Sequence, residues 1–358
     1  MSEGHDSLGG MAPGNEAQRL PDRNVTGFYH DPPLWLVEHP IDHAQKGGTF
    51  AVEFDRLGHE VLRRDVGGGL KMRANVEGMF VFDFGDVPDL AISGRDYASF
   101  NFERMHSISV QRTRIMNAFL GFFYTHRTLI DNWSQECMVV TPEVVISVQS
   151  LDNTLEGSFG NDRVAHLAMS RYPVTYSQAL PNSFDSRISN RGGPVSAACV
   201  EAAADALSDL ISTYGDAGVL LIDLYLRALK AYQDNNFSFS LITYWTITER
   251  IVNELWQKLQ SDFKTKDDEI FIDGPRKKRL NDGRSFTASV MSEFLSFLEY
   301  IPKDVYDDMS SVRKVRNDWM HSLRPVSLDD AKLARNVCER LLKQEMGVTL
   351  ASSVPLRF

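Results

Sequence analysis

One stretch decides how the second half of this chain folds: residues 305–323, which read VYDDMSSVRKVRNDWMHSL. Within it, a set of positions recurs at alternating spacings of four and three, the pattern of a helix face packed against other helices. The set consists of Val305, Met309, Val312, Arg316, Trp319 and Leu323. Removing the Arg316 guanidinium from water costs several kcal/mol unless it is paired or kept hydrated. A chemical role is one reason to place an arginine there.

Two polar residues share a flank of this predicted helix with Arg316. At about 100° per residue, Asn317 and His321 fall about 100° and about 140° around the helix from Arg316. Asn317 and His321 are also one turn apart and face each other along the helix. Because Pro325 disfavours helix at the residue before it, we expect the helix to end near Leu323, with His321 in its last turn. The helix dipole favours an imidazolium in that position.

The run from Arg316 to His321, RNDWMH, resembles the motif of the HEPN superfamily of small helical domains. That motif is an arginine, a polar residue, three further residues and a histidine, and this sequence is most similar to the Apea-like branch. An apolar helix before the motif, the proline that ends its helix and an amphipathic helix after it extend the resemblance over residues 216–346. The resemblance implies a metal-independent ribonuclease without a cofactor, which leaves a 2′,3′-cyclic phosphate and a 5′-hydroxyl. It also implies a homodimer in which Arg316 and His321 of both copies line one cleft.

The chemistry of RNA cleavage suits these three side chains. A base must take the ribose 2′-hydroxyl proton, a cation must stabilise the charged phosphorane, and an acid should protonate the departing 5′-oxygen. His321 can move a proton near neutral pH. The planar guanidinium of Arg316 can donate two parallel hydrogen bonds to a phosphate, and Asn317 can orient Arg316 or His321. The alternative is structural, with Arg316 paired to Glu249 or to an Asp across the bundle and His321 a surface residue.

Two further features are candidates for supporting roles. The resemblance implies that Glu249 holds Arg316 or His321, although a plain surface glutamate is the alternative. The run Arg276, Lys277, Lys278 and Arg279 is the densest basic patch in an acidic chain. We expect it in a loop that tracks an RNA backbone, the alternative being a solvated loop without a partner.

One departure from the family pattern concerns control. In HEPN proteins that are paired with a minimal nucleotidyltransferase, the motif continues with one residue and then a tyrosine that is modified. Here Ser322 is followed by Leu323. Control by tyrosine adenylylation is therefore not expected.

Composition narrows the class of protein. The chain has 358 residues, 43% of them hydrophobic and 24% charged, which is typical of a soluble globular protein of two domains. A net charge of −10 argues against a surface that binds duplex nucleic acid through charge alone, so any RNA contact must be local. Cys137, Cys199 and Cys338 are too few and too far apart for a disulfide framework or a zinc cluster, which favours a reducing cytoplasm. The apolar runs are far shorter than the roughly 20 residues that span a bilayer, so no membrane partner is expected.

The pattern along the chain predicts an α+β fold. Residues 1–24 read as a disordered leader, and residues 25–180 as an α+β domain of unassigned role. In that domain we expect a helix over residues 102–125 with Arg112 and Arg114 facing outward, a strand over residues 138–148, and a turn at Gly67, Gly68 and Gly69. A linker and connecting helix follow over residues 181–215, then an all-α HEPN-like bundle over 216–346 and a tail over 347–358. In the bundle we expect a helix over residues 237–263 and a last helix with Ser327 as its N-cap before Asp329 and Asp330. The buried face of the helix over 237–263 is predicted to consist of Leu241, Trp245, Thr248, Val252, Leu255 and Leu259.

These observations lead to one functional hypothesis and two alternatives. The hypothesis is a metal-independent endoribonuclease that serves as a toxin or antiviral defence effector, with an antitoxin as a further partner. The first alternative is a non-catalytic module that dimerises or binds RNA or a nucleotide. In the second, residues 25–180 sense a ligand and restrain the nuclease. A zinc site at His30, His39, Asp42 and His43 is a weaker option, because Pro40 disrupts the helix that such spacing requires.

Overall fold

The computed structural model describes residues 23–31, 34–37, 41–42, 51–52, 58–93, 96, 101–151, 153–158, 195–263, 265–266, 269–270 and 272–356. An antiparallel sheet and one long helix form the N-terminal part, and α-helices form the C-terminal part. The prediction of an α+β fold is thereby confirmed. No helix in the described part has both the length and the apolar character needed to cross a membrane.

Six strands of the described part form the main sheet, in the order β4-β5-β6-β1-β7-β8, and every neighbouring pair is antiparallel. The strands of the N-terminal part are β1 (Val25–Tyr29), β2 (Ile41–Asp42), β3 (Ala51–Val52), β4 (Glu60–Gly67), β5 (Leu70–Asn75), β6 (Met79–Asp83), β7 (Ile146–Leu151) and β8 (Thr154–Ser158). The short strands β2 and β3 pair only with each other. The predicted strand over residues 138–148 begins later than expected, because a 3-10 turn at Pro142–Val144 precedes it.

The three-glycine run makes the turn between β4 and β5, as predicted. Gly67, Gly68 and Gly69 all have positive φ values, of 88°, 61° and 86°. A Cβ added at Gly69 would lie 2.3 Å from the carbonyl oxygen of Asp86. The positive φ values favour glycine at all three positions, and the nearby Asp86 carbonyl leaves no room for a side chain at Gly69.

Helix α1 (Phe102–Leu129) covers one face of the sheet. Its Phe119 ring lies 5.0 Å from that of Phe80 and 5.8 Å from that of Phe82, both on β6. The prediction that Arg112 faces outward was wrong. The Arg112 side chain is buried, donates to the carbonyl oxygens of Leu90 and Arg23, and has its guanidinium 4.7 Å from the centre of the Phe84 ring.

Helix α2 (Ala197–Gln233) joins the sheet and α1 to the helical part. It bends at Gly215, whose φ of 53° and ψ of −143° interrupt the helix. Where α2 meets α1, the buried Asn117 amide donates to Asp223 at 2.7 Å and to the carbonyl oxygen of Val140. One continuous apolar core includes residues of the sheet, α1, α2 and the helices that follow.

The remaining helices are α3 (Phe237–Asp262), α4 (Gly274–Leu280), α5 (Ala288–Phe297), α6 (Lys303–Ser322) and α7 (Leu328–Met346), with the short hairpin β9 (Thr265–Lys266) and β10 (Glu269–Ile270) after α3. Ser327 caps α7 through a reciprocal pair of bonds with Asp330, which agrees with its predicted capping role. The Tyr300 hydroxyl donates to Asp262 at 2.6 Å, so α6 starts beside the end of α3. Arg340, late in α7, pairs with Asp304 and Asp308 early in α6, so α6 and α7 are antiparallel.

Residues 347–356 form a segment that we call the C-terminal strap. Gly347 ends α7 with a φ of 66°, and the chain then runs back to α1. There the Ser353 N–H donates to the Thr128 hydroxyl at 2.8 Å, the Ser352 and Thr125 hydroxyls lie 3.2 Å apart, and Leu350 is buried. The predicted tail is thus packed against α1 over its described residues.

Residues 1–22 of the predicted leader, residues 159–180 of the predicted α+β domain and residues 181–194 of the predicted linker lie outside the described residues. The domain boundary between residues 180 and 216 therefore stays a prediction. What the structure adds is direct packing of α1 against α2, which gives both predicted domains a shared core.

Candidate functional site

Helix α6 carries the motif and ends where the sequence predicts. Leu323 takes a left-handed conformation with a φ of 51°, and its N–H donates to the carbonyl oxygen of Trp319 at 2.8 Å. His321 therefore lies in the last turn. A left-handed non-glycine residue costs about 1 kcal/mol, and Pro325 two residues later leaves the helix no way to continue.

Only the first half of the predicted buried face of α6 is buried. Val305, Met309 and Val312 are each 2% exposed. Trp319 is half-buried and packs against the core, and Arg316 is half-buried, so their predicted burial is partial. Leu323 is 74% exposed, so the prediction that it is buried was wrong. In the described structure, the hydrogen bonds and ion pairs of α6 with α5 and α7 involve its early residues, such as Tyr306 with Glu293 and Asp304 with Arg340. The second half of α6 is therefore partly open to solvent.

Arg316 is held by its neighbour and not by a carboxylate. Its Nη1 donates to the Asn317 side-chain oxygen at 3.0 Å, and both side chains are half-buried. Within the described part of the chain, Arg316 makes no ion pair, so the alternative of an arginine locked to Glu249 or to an Asp does not hold there. The guanidinium keeps hydrogen-bond donors available for an anion.

His321 is exposed, one turn beyond Asn317 on the same flank of α6. Among the residues that the structure describes, none forms a hydrogen bond with its ring. The imidazole is therefore open to solvent and is not oriented by a fixed partner in this part of the chain. Two helix-end neighbours, Asp318 and Arg324, pair with each other at 3.5 Å.

Glu249 is half-buried on α3, and its side chain forms no hydrogen bond with Arg316 or His321 in the described structure. The structure thus brings Arg316, Asn317 and His321 together on one flank but does not join Glu249 to them by a hydrogen bond.

The basic run lies on helix α4 and not in a loop, which corrects the prediction. Asp273 caps this helix by accepting from the Arg276 N–H at 2.8 Å, and the four basic residues are exposed. The sequence signal for the helix was Asp273 followed by Gly274 and Pro275, a capping residue with proline in the first turn.

Helix α4 lies beside the last turns of α3, near the start of α6, whereas the motif lies near the end of α6. The Trp256 ring N–H donates to the carbonyl oxygen of Leu280 at 3.0 Å, which fixes α4 to the last turns of α3. The first residues of α6 also lie beside that end of α3. Arg316 comes thirteen residues after Lys303, about 20 Å further along the helix axis. The basic run is therefore not part of the motif's immediate surroundings.

The sequence interpretation missed an exposed apolar pair beside the motif. Met320 is 50% exposed and Leu323 is 74% exposed, on either side of His321 in the sequence. The proline at position 325 was the available signal, because a helix that ends there has no following turn to cover Leu323.

The weaker candidates have structural explanations or lie outside the described residues. His30 is buried and its Nε2 lies 2.8 Å from the Tyr124 hydroxyl, while His39 and His43 are not among the described residues. In the described part, no three His, Cys, Asp or Glu side chains are grouped as metal ligands would be. Cys199 is a core residue, and burial raises the pKa of its thiol to about 12.

A comparison of the chain with protein-family models, with curated proteins and with solved structures found no match.

Proposed function

We propose that this protein is a metal-independent endoribonuclease of HEPN type, in which Arg316, Asn317 and His321 form the catalytic group. The observation that carries the proposal is the state of Arg316. A half-buried guanidinium without a carboxylate partner in the described structure, five residues before an exposed imidazole on the same helix, is suited to a phosphodiester.

The proposed reaction is a transesterification. A neutral His321 takes the proton from the ribose 2′-hydroxyl, and the 2′-oxygen forms a bond to phosphorus. Arg316 stabilises the charge on the phosphorane, with Asn317 holding the guanidinium in position. The bond from phosphorus to the 5′-oxygen then breaks, and the 5′-oxygen takes a proton from an imidazolium. The products are a 2′,3′-cyclic phosphate and a 5′-hydroxyl.

Two histidines with opposite protonation states serve this reaction best, which supports a homodimer. The exposed Met320 and Leu323 beside His321 give a second copy an apolar surface to cover. Pairing through this end of α6 would bring two copies of His321 to one cleft. The basic helix α4, which is attached to the last turns of α3, would then bind flanking RNA and not the scissile phosphate.

The direct test is cleavage of single-stranded RNA by purified protein in the presence of a chelator. We expect His321→Ala and Arg316→Ala to lower the cleavage rate by at least about 100-fold, the range seen when a proton-transfer group or a charge-stabilising donor is removed. Lys303→Ala is the control, because Lys303 is exposed at the other end of the same helix, about 20 Å from Arg316 along the helix axis. Equal rates for all three variants would show that the site is wrongly assigned.

The biological role as a toxin or defence effector is a further part of the proposal. Expression of the wild type should arrest growth, whereas His321→Ala should be tolerated. Deleting residues 25–180 would not test restraint cleanly, because α1 shares a core with α2.

The second candidate is a non-catalytic module that binds RNA. It is favoured by one observation, that His321 has no orienting partner in the described part of one copy. RNA binding without cleavage, unaffected by His321→Ala, would favour this candidate.

A further inference from the structure

A cleft of about 340 Å³ lies between α1, the first half of α2 and the C-terminal strap. This volume is at the lower end of the range for small-molecule sites. The lining residues that matter most come from all three elements: Phe122, His126, Asp209, Leu210, Met346 and Val348. The cleft is separate from the Arg316 motif, which contributes no residue to its lining.

The walls of the cleft combine apolar and polar side chains. Phe122, Leu210 and Met346 line it although they are at most 7% exposed, and His126, Asp209 and Thr213 add polar groups. Tyr214 stands at the end of the wall formed by α2, next to the bend at Gly215. Its hydroxyl is occupied by a bond to the carbonyl oxygen of Glu345 at 3.3 Å. A ligand that fits this lining would have both an apolar part and a polar group.

The polar groups of the cleft set the charge of a ligand. Asp209 is the one formal charge among the lining residues, and its carboxylate makes no ion pair within the described structure. His126 is half-buried, and burial lowers the pKa of its imidazole, so the ring is neutral at pH 7 and does not neutralise Asp209. A carboxylate beside a neutral ring attracts a cation and repels phosphate or carboxylate groups.

We propose that this cleft binds a small organic amine, whose ammonium group pairs with Asp209 while its apolar part lies against Phe122, Leu210 and Met346. The proposal does not depend on the nuclease assignment. A bound amine would touch α1, α2 and the strap at once. Since the strap is attached to Thr125 and Thr128 of α1, binding would strengthen the junction between the sheet and the helices.

The test uses two probes of similar size and opposite charge, tryptamine and indole-3-acetate, with the full chain in a calorimetric titration. A ligand of this size is expected to bind with a Kd of about 0.1 to 10 mM. We expect tryptamine to bind and indole-3-acetate not to bind. Asp209→Asn should weaken tryptamine binding about fivefold to tenfold, the effect of a partly exposed ion pair.

Two further variants make the result specific. Asp205→Asn is the matched control, because Asp205 is exposed one turn before Asp209 on α2 and does not line the cleft. It should leave the Kd unchanged. Thr213→Trp, at an exposed position of the lining, should fill the cleft and abolish binding. Binding of both probes with equal affinity, no binding of tryptamine, or an equal effect of the two Asp variants would overturn the proposal.

Discussion

The guanidinium of Arg316 lies 3.0 Å from the side-chain oxygen of Asn317, its neighbour in the sequence. An amide oxygen holds a guanidinium in place without cancelling its charge, whereas a carboxylate would do both. Arg316 therefore keeps the positive charge that binding a phosphate requires.

Changing Asn317 tests this relationship directly. Asn317→Asp would place a carboxylate within about 3 Å of the guanidinium, where it competes with phosphate for the same donors. We expect Asn317→Asp to lower the RNA cleavage rate more than Asn317→Ala, by about 100-fold against about tenfold. Single-turnover cleavage assays measure both. An Asn317→Asp variant as active as the wild type would mean that Arg316 does not contact the scissile phosphate.

The exposed Leu323 predicts how copies associate. Leu323→Asp would put a charge into the surface that we propose a second copy covers, so we expect it to convert a dimer into a monomer and to abolish cleavage. Sedimentation velocity gives the oligomeric state. Leu129→Asp is the control, since Leu129 is 55% exposed at the end of α1. A wild-type protein that cleaves RNA as a monomer would contradict the pairing.

Asn117 is expected to matter for stability and not for chemistry. Its buried side chain donates to Asp223 and to the carbonyl oxygen of Val140, and accepts from the Val140 N–H at 2.7 Å. Asn117→Ala leaves these buried groups unpaired, which should lower the free energy of unfolding by about 2 to 4 kcal/mol. Urea denaturation measures the loss. Asn253→Ala, at an exposed position of α3, should change it by less than about 0.5 kcal/mol, and an equally small effect at Asn117 would be evidence against this network.

We expect the free energy of unfolding to depend on pH because Arg63 and Arg73 bind the Glu60 carboxylate. Burial alone would raise the pKa of Glu60, but hydrogen bonds from Arg63 and Arg73, each with an Nε distance of 2.6 Å, outweigh it and the pKa is lowered. The stabilisation is therefore present above the pH at which an unfolded glutamate titrates, about 4.3, and is lost as the pH falls through the lower folded pKa.

The measurement is the Tm of the wild type and of Glu60→Gln between about pH 3 and about pH 7. On acidification, the Tm of the wild type should fall further than that of Glu60→Gln. The two plots of Tm against pH should converge at low pH. Glu103→Gln, at an exposed position in the first turn of α1, should follow the wild type. Parallel curves for Glu60→Gln and the wild type would refute the assignment.

What the sequence predicted correctly rests on local signals. The end of α6 near Leu323 follows from a proline two residues later, and the start of α7 follows from Ser327 and its acidic first turn. The buried face of α3 follows from spacing alone, because Leu241, Trp245 and Val252 repeat with the period of a helix and all are buried.

What the sequence did not predict depends on distant partners. Arg112 is buried because a carbonyl oxygen 22 residues away and another 89 residues away accept from it, and neither is visible in a helical pattern. Arg316 and Leu323 continue the same spacing as Val305 and Met309, yet Arg316 is only half-buried and Leu323 is exposed. Spacing shows which residues share a face but not how far along the helix that face is covered.

The C-terminal strap also has a consequence for how the protein is made. Thr125 and Thr128 leave the ribosome more than two hundred residues before the Ser352 and Ser353 to which they bond. A nascent chain therefore carries α1 without the strap through most of translation. A product truncated within α7 would never make these contacts, so it should be degraded sooner than the full chain.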